Sequence, residues 1–303
     1  MKPPSQIVIS ASRRTDIPAF YMDRFMAQIH RGYFEIVNPY NRRVSTAIAT
    51  PEAVHTIVFW SKNFGPFLEK GYGQILREMG YNLFFNFTIN ADSQRLEPHV
   101  PPLALRMEQL ATLGNHFDAN SINWRFDPIC FYQSGDGGIS SIRDILDPFQ
   151  TMARNASRFG IKRCITSFRD DYPKIRKRVA RLAGFRFTDP SLETKKAILI
   201  GMKSILNHEN MQLYTCCEKN LLAALAPHTD IRKSACIPND LLVELFGGNL
   251  SLRKDTGQRI KNGCGCSVSV DVGSYHRHPC YHNCLFCYAN PSPDLPKDSE
   301  MCG

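Results

Sequence analysis

From one end of this 303-residue sequence to the other, short apolar runs rich in β-branched and aromatic residues alternate with longer stretches of helical periodicity. The first run, residues 6–10, ends in a polar loop and leads into a helical pattern over 18–30. Residues 56–61 precede a helix over 64–79, residues 82–90 one over 102–113, and residues 122–129 one over 141–158. Further strands are expected at 163–168, 211–216 and 267–271; helices at 172–183 and 190–207 follow the first of these, and a short one follows the second. Run length and period together separate strand from helix. Strands alternating in this way with helices pair in parallel. The expected fold is therefore α/β, a parallel (β/α) barrel, complete or partly open, with a doubly wound open sheet as its rival.

No internal repeat or long linker divides the chain, so a single domain is expected over 1–303. Residues 1–260 would form most of the barrel, 261–290 the last strand and a cysteine-rich loop, and 291–303 a loose tail rich in proline and serine. An apolar content of 43% is enough for a large core. The absence of a long apolar run, and of an apolar centre after Met1, predicts a soluble, cytoplasmic protein with no membrane partner. The formal charge of +9 is compatible with an anionic partner such as nucleic acid. The basic residues are dispersed, however, and the densest run, 174–181, reads as the solvated face of a helix.

Ligands in parallel α/β folds gather at the C-terminal ends of strands. Here those ends carry Ser12, Arg13, Arg14, Thr15 and Asp16; Ser61, Lys62 and Asn63; Thr88 and Asn90; Arg125 and Asp127; Ser167; and Cys216, Cys217 and Glu218. Arginine offers a planar fork to carboxylate or phosphate. The structural alternatives are that Asp16 caps the following helix and that Arg125 pairs with Asp127.

Eleven cysteines in a reducing compartment point to metal or catalysis before disulfides. Cys280, Cys284 and Cys287 sit in one loop at Cys-x3-Cys-x2-Cys spacing, with Phe286 before the last. Thiolates suit iron–sulfur clusters or zinc. A closed zinc site needs a fourth ligand, for which His278 or His282 stands ready; a four-iron cluster on three cysteines keeps one iron open. Cys216, Cys236, Cys264 and Cys266 form a possible second set for a cluster or zinc, with Cys217 in reserve, although adjacent residues of an extended segment face opposite ways. Buried free thiols are the alternative. Cys130 and Cys164 read as core.

The Cys280–Cys287 loop, with its spacing and its aromatic, resembles the signature of the radical S-adenosylmethionine (SAM) superfamily. That resemblance implies a 4Fe-4S cluster on Cys280, Cys284 and Cys287 and SAM on the open iron. It also implies reductive cleavage to a 5'-deoxyadenosyl radical, oxygen sensitivity, and an electron donor such as flavodoxin or ferredoxin. Arg13, Arg14 or Arg125 would then face the SAM carboxylate, and Asp16, Asp127 or Glu218 its ammonium or ribose, with Ser12, Thr88 and Asn90 in support. The usual Gly-Gly-Glu ammonium motif is not evident. In the superfamily the loop follows the first strand, whereas here it follows the last, so the resemblance implies a circularly permuted barrel in which 267–271 plays the first strand. Tyr275 and Tyr288 would flank the cluster and shield it, or alternatively pass a radical.

A narrower resemblance spreads over nearly the whole chain. Residues 10–18 (Ser-Ala-Ser-Arg-Arg-Thr-Asp-Ile-Pro), 87–90 with 96–98, 124–128 (Trp-Arg-Phe-Asp-Pro), 264–266 and 287–290 resemble the DUF1848 family of uncharacterised bacterial proteins. Residues 83–98 are also similar to a stretch of spore photoproduct lyase, which raises radical repair of nucleic acid as one alternative. A non-catalytic iron–sulfur or zinc protein binding nucleic acid or a protein partner is the other.

Overall fold

The computed structural model describes residues 6–38, 41, 43–135, 137–225, 229–289 and 291–292. Eight strands form one sheet: β1 (Ile7–Ala11), β2 (Val54–Ser61), β3 (Asn82–Thr88), β4 (Ile122–Ile129), β5 (Arg163–Phe168), β6 (Gln212–Thr215), β7 (Arg232–Lys233) and β8 (Val270–Asp271). Every neighbouring pair is parallel. The spatial order is β7-β6-β5-β4-β3-β2-β1-β8, so the last strand lies beside the first. Among the described residues no ladder joins β7 to β8, which leaves a seam between the two edges.

The strands are almost continuously apolar because both faces are covered, as parallel sheets require. On one face Ile9, Ile57, Phe59, Phe85 and Trp124 pack against Phe25, Leu110, Phe149 and Met202. These come from helices α1 (Met22–Arg31), α2 (Leu103–His116), α3 (Ile142–Arg158) and α4 (Leu192–His208). The Trp124 ring stacks on Phe149 with centroids 5.2 Å apart. The alternate residues Val8, Val58, Phe84 and Ile165 face the other way, toward Ile237 and Leu242 and four buried cysteines. Leu242 belongs to helix α5 (Asn239–Phe246), which covers this second face.

Two expected helices are broken. Residues 18–30 divide into Ile17–Phe20 and α1 at Tyr21, whose φ of −135° leaves the helical region. Residues 64–79 divide into Gly65–Glu69 and Tyr72–Glu78 at Gly71, which takes a left-handed φ of 64°. The strand expected over 267–271 pairs with β1 only at Val270 and Asp271, while Ser267 bridges Lys254. An antiparallel hairpin, Tyr33–Val37 with Val44–Ile48, and a small antiparallel sheet of Phe131–Ser134, Gly137–Ile139 and Arg186–Thr188 add to the expected elements. No described helix is long and apolar enough to cross a membrane. Of the tail expected over 291–303, residues 293–303 lie outside the described residues.

Candidate metal and cofactor site

β8 delivers the Cys280–Cys287 loop to the C-terminal ends of the central strands. Asp271, at the end of β8, ties it to β1: its carboxylate accepts from Ser10 Oγ at 3.1 Å, Ser12 Oγ at 2.6 Å and Arg13 N at 2.8 Å. Arg14 Nη1 donates to the Gly273 carbonyl at 2.9 Å. Asp271 was not singled out in the sequence, although a carboxylate at the end of a strand was the available signal.

Past this tie the loop folds over its neighbours. Tyr21 Oη donates to Pro279 O at 2.6 Å, so the break in the first helix places a side chain on the loop. Leu285 N donates to Leu96 O at 2.9 Å, which docks the 96–98 segment against the cysteines. Arg178 Nη1 donates to the carbonyls of Cys284, Leu285 and Cys287 at 3.2, 2.9 and 3.0 Å. The basic run is thus not wholly a solvated face, because one of its guanidinium groups clamps the loop.

Cys284 is buried, with Cys280 and Cys287 partly so, and burial pushes all three thiols up. Lys62 and Glu97 lie in electrostatic reach of Cys284, and Lys62 Nζ stands 2.5 Å from Glu97 Oε1. Burial works against the Lys62 charge, but Glu97 and Cys284 outweigh it and hold the ammonium above its ordinary value. The same ammonium sits 5.2 Å from the centre of the Phe286 ring. Asn90 Nδ2 donates to Glu97 Oε1 at 3.1 Å.

Asp16 does cap the short helix, accepting from Ala19 N at 3.0 Å, and it also accepts from Ser61 Oγ and Lys62 N. His282 Nε2 lies 2.8 Å from its second oxygen. Thr15 Oγ1, Glu97 Oε2 and His278 Nε2 are buried without a hydrogen-bond partner among the described residues. Buried polar atoms are normally paired, so these orphans around a three-thiol loop fit a polar group bound beside it. Burial, foremost, holds the His278 imidazole down at about 4, which keeps it neutral.

The other candidates gather elsewhere. Arg125 forms an ion pair with Asp127, as the structural alternative expects, and Ser167 Oγ donates to the same carboxylate. Thr88 stands in register with Arg125, and Asp127 N donates to Asn90 Oδ1 at 2.8 Å. Glu218 accepts from Phe168 N at 2.9 Å, and burial raises its carboxyl. Arg125 Nη1 points at Cys236 Sγ, 3.0 Å away. Arg13 is drawn to Cys266 and Cys236 and lies 5.6 Å from the centre of the Trp60 ring. Of the three arginines expected at a SAM carboxylate, Arg125 thus meets the second cysteine set directly, and Arg13, whose Nη1 lies 3.4 Å from Ser269 Oγ and 3.7 Å from Asp255, is in electrostatic reach of it. Tyr288 Oη donates to Arg13 O at 3.0 Å, and Tyr275 lies against Arg14 and Lys174.

That second set is drawn together. Cys216 Sγ lies 3.7 Å from the sulfurs of both Cys217 and Cys236. The expectation that Cys216 and Cys217 face opposite ways fails because Cys217 adopts a left-handed φ of 62°, which turns its side chain back. Hydrogen bonding with Cys217 raises the Cys216 thiol to about 12, and that from Cys236 holds Cys266 far below its ordinary value. Cys130 and Cys164 are buried core residues. Among the described residues no three His, Cys, Asp or Glu side chains form a ready-made coordination shell, and this holds for both cysteine sets.

An eight-stranded parallel sheet with two groups of thiols over its strand ends defines a cysteine-rich α/β protein. The chain belongs to the family described as Domain of unknown function (DUF1848), whose model matches residues 8–289. No curated protein matches the sequence. A solved structure titled "Crystal structure of D-hydantoinase" aligns at 12% identity with a TM-score of 0.31, over 60% of this chain and 39% of that one.

Proposed function

We propose that this chain is a soluble radical SAM-type iron–sulfur enzyme built on a circularly permuted, partly open (β/α) barrel. The observation that carries this reading is the place of β8. Because it pairs with β1, the sheet read from that edge runs β8, β1, β2 and onward to β7 without a break in order. The three-cysteine loop then follows the first strand of the spatial series. Cys280, Cys284 and Cys287 would hold a four-iron cluster, and their donor chemistry fits it: soft sulfurs in one short loop, three in number, beside unpaired polar atoms. Bound there, cluster and SAM would supply one-electron cleavage of a sulfonium and a carbon-centred oxidant.

The chain's own residues position and insulate. Arg178 holds the loop by three carbonyl groups, and Lys62 with Glu97 sets the charge beside Cys284. Phe286 shields the loop, and Tyr288 fixes its far end to Arg13. Thr15, Glu97 and His278 offer a hydroxyl, a carboxylate oxygen and an imidazole nitrogen to a polar ligand. Arg14, held beside the loop by the Gly273 carbonyl, would be the carboxylate donor, with Arg125 on Cys236. Electrons would come from a donor such as flavodoxin or ferredoxin.

The test is anaerobic incubation of iron-replete protein with SAM and dithionite. The wild type is expected to release 5'-deoxyadenosine and Cys284→Ala none; no release from iron-replete wild type would overturn the reading.

A further inference from the structure

We infer that Cys216, Cys236, Cys264 and Cys266, with Cys217 alongside, hold a second thiolate-bound metal centre that ties the seam between β7 and β8. The thiols come from both sides of it: Cys216 and Cys217 follow β6, Cys236 follows β7, and Cys264 and Cys266 precede β8. Beyond the two 3.7 Å separations from Cys216, Cys236, Cys264 and Cys266 are buried in one cluster with Cys216, and Cys217 packs against it. Sulfurs sharing one tetrahedral ion at about 2.3 Å stand roughly 3.8 Å from each other. Disulfide sulfurs stand about 2.05 Å apart. The 3.7 Å separation of Cys216 and Cys236 matches the first of these spacings and not the second.

The backbone is built for this approach. Cys217 takes its left-handed φ, and a Cβ on Gly265 would lie 2.5 Å from the Ser234 carbonyl oxygen, so only glycine lets the Cys264-Gly-Cys266 turn close on the segment after β7.

Charge is the independent observation. Arg125, 6% exposed and paired with Asp127, also donates to Cys236; Arg13, 3.7 Å from Asp255, lies in electrostatic reach of Cys266 and Cys236, and Arg259, paired with Asp170, in that of Cys217 and Cys216. Arg13 Nη2 is buried with no hydrogen-bond partner among the described residues. Neutral thiols are weak acceptors and give little return for burying guanidinium groups. Four thiolates around a divalent ion or an iron–sulfur core keep net negative charge, which these cations balance. On binding, each ligand thiol releases its proton to solvent and its sulfur closes on the metal, converting the present contact cluster into a coordination shell. Soft sulfur donors select zinc or iron–sulfur.

The test uses the full chain carrying Cys280→Ala, Cys284→Ala and Cys287→Ala, so that the first loop is silent and the outcome is independent of the SAM reading. Anaerobically purified, it is expected to keep one equivalent of zinc, or iron with matching sulfide. After metal removal, cobalt(II) titration should give the intense visible bands of a four-thiolate site. Adding Cys236→Ser and Cys266→Ser should abolish both. A folded triple variant with no metal and no cobalt–thiolate bands, or disulfides among these cysteines by non-reducing mass spectrometry, would overturn the inference. Should the triple variant not fold, Cys236→Ser with Cys266→Ser in the wild-type chain must lower metal content by that one centre, and unchanged content refutes it.

Discussion

Lys62 and Glu97 form a nearly dry pair, with side chains 16% and 3% exposed, next to Cys284. Breaking such a pair from one side leaves a buried charge unanswered. Lys62→Met is therefore expected to cost about 3–5 kcal/mol of unfolding free energy. Lys62→Met with Glu97→Gln should regain most of it, since the amide oxygen still accepts from Asn90. Urea unfolding of the four-member cycle measures this, and a single variant as stable as wild type would contradict it. At this scale the sequence exposed the cysteine loop by its spacing, and Lys62 by its strand-end position. It did not expose Glu97 as the lysine's partner, because that pairing spans two loops. Nor did it expose the contact of Arg125 with Cys236, because residue type and strand-end position do not tell which neighbouring thiol a guanidinium meets.

Helix α3 begins in a capping box: Ser141 Oγ accepts from Asp144 N at 3.3 Å, and Asp144 accepts from Ser140 N and Ser141 N at 2.9 and 2.8 Å. The bonds from Ser140 and then Ser141 hold the Asp144 carboxyl below its ordinary value. The unfolded chain thus takes up the proton first, and the stabilisation is complete above about pH 4 and lost as pH falls through the lower folded value. Asp144→Ala is expected to cost about 1 kcal/mol at pH 7. The gap from wild type should narrow as the pH falls below the ordinary carboxyl value and through the lower folded one, and a gap indifferent to pH would contradict the capping role. Elements with strong periodicity, such as β2, β4 and α3, were legible in the sequence. The breaks at Tyr21 and Gly71 were not, because apolar periodicity runs straight through them. The antiparallel hairpin was missed because much of its surface, including Val44 and Ile48, is exposed and carries no burial pattern.

Across the whole molecule, the alternation of runs sufficed to anticipate a large parallel sheet, since crossovers of helix length leave parallel pairing as the economical arrangement. The position of β8 was anticipated only through a family resemblance; two paired residues give no pattern of their own. That position puts the Cys280–Cys287 loop over the strand ends, and the central claim is that SAM reaches an iron held there. Electron paramagnetic resonance of the anaerobic, dithionite-reduced protein, with and without SAM, tests it most directly. A reduced-cluster signal that depends on Cys280, Cys284 and Cys287 and shifts when SAM is added is the expected result; a signal dependent on those cysteines but unmoved by SAM would contradict the account.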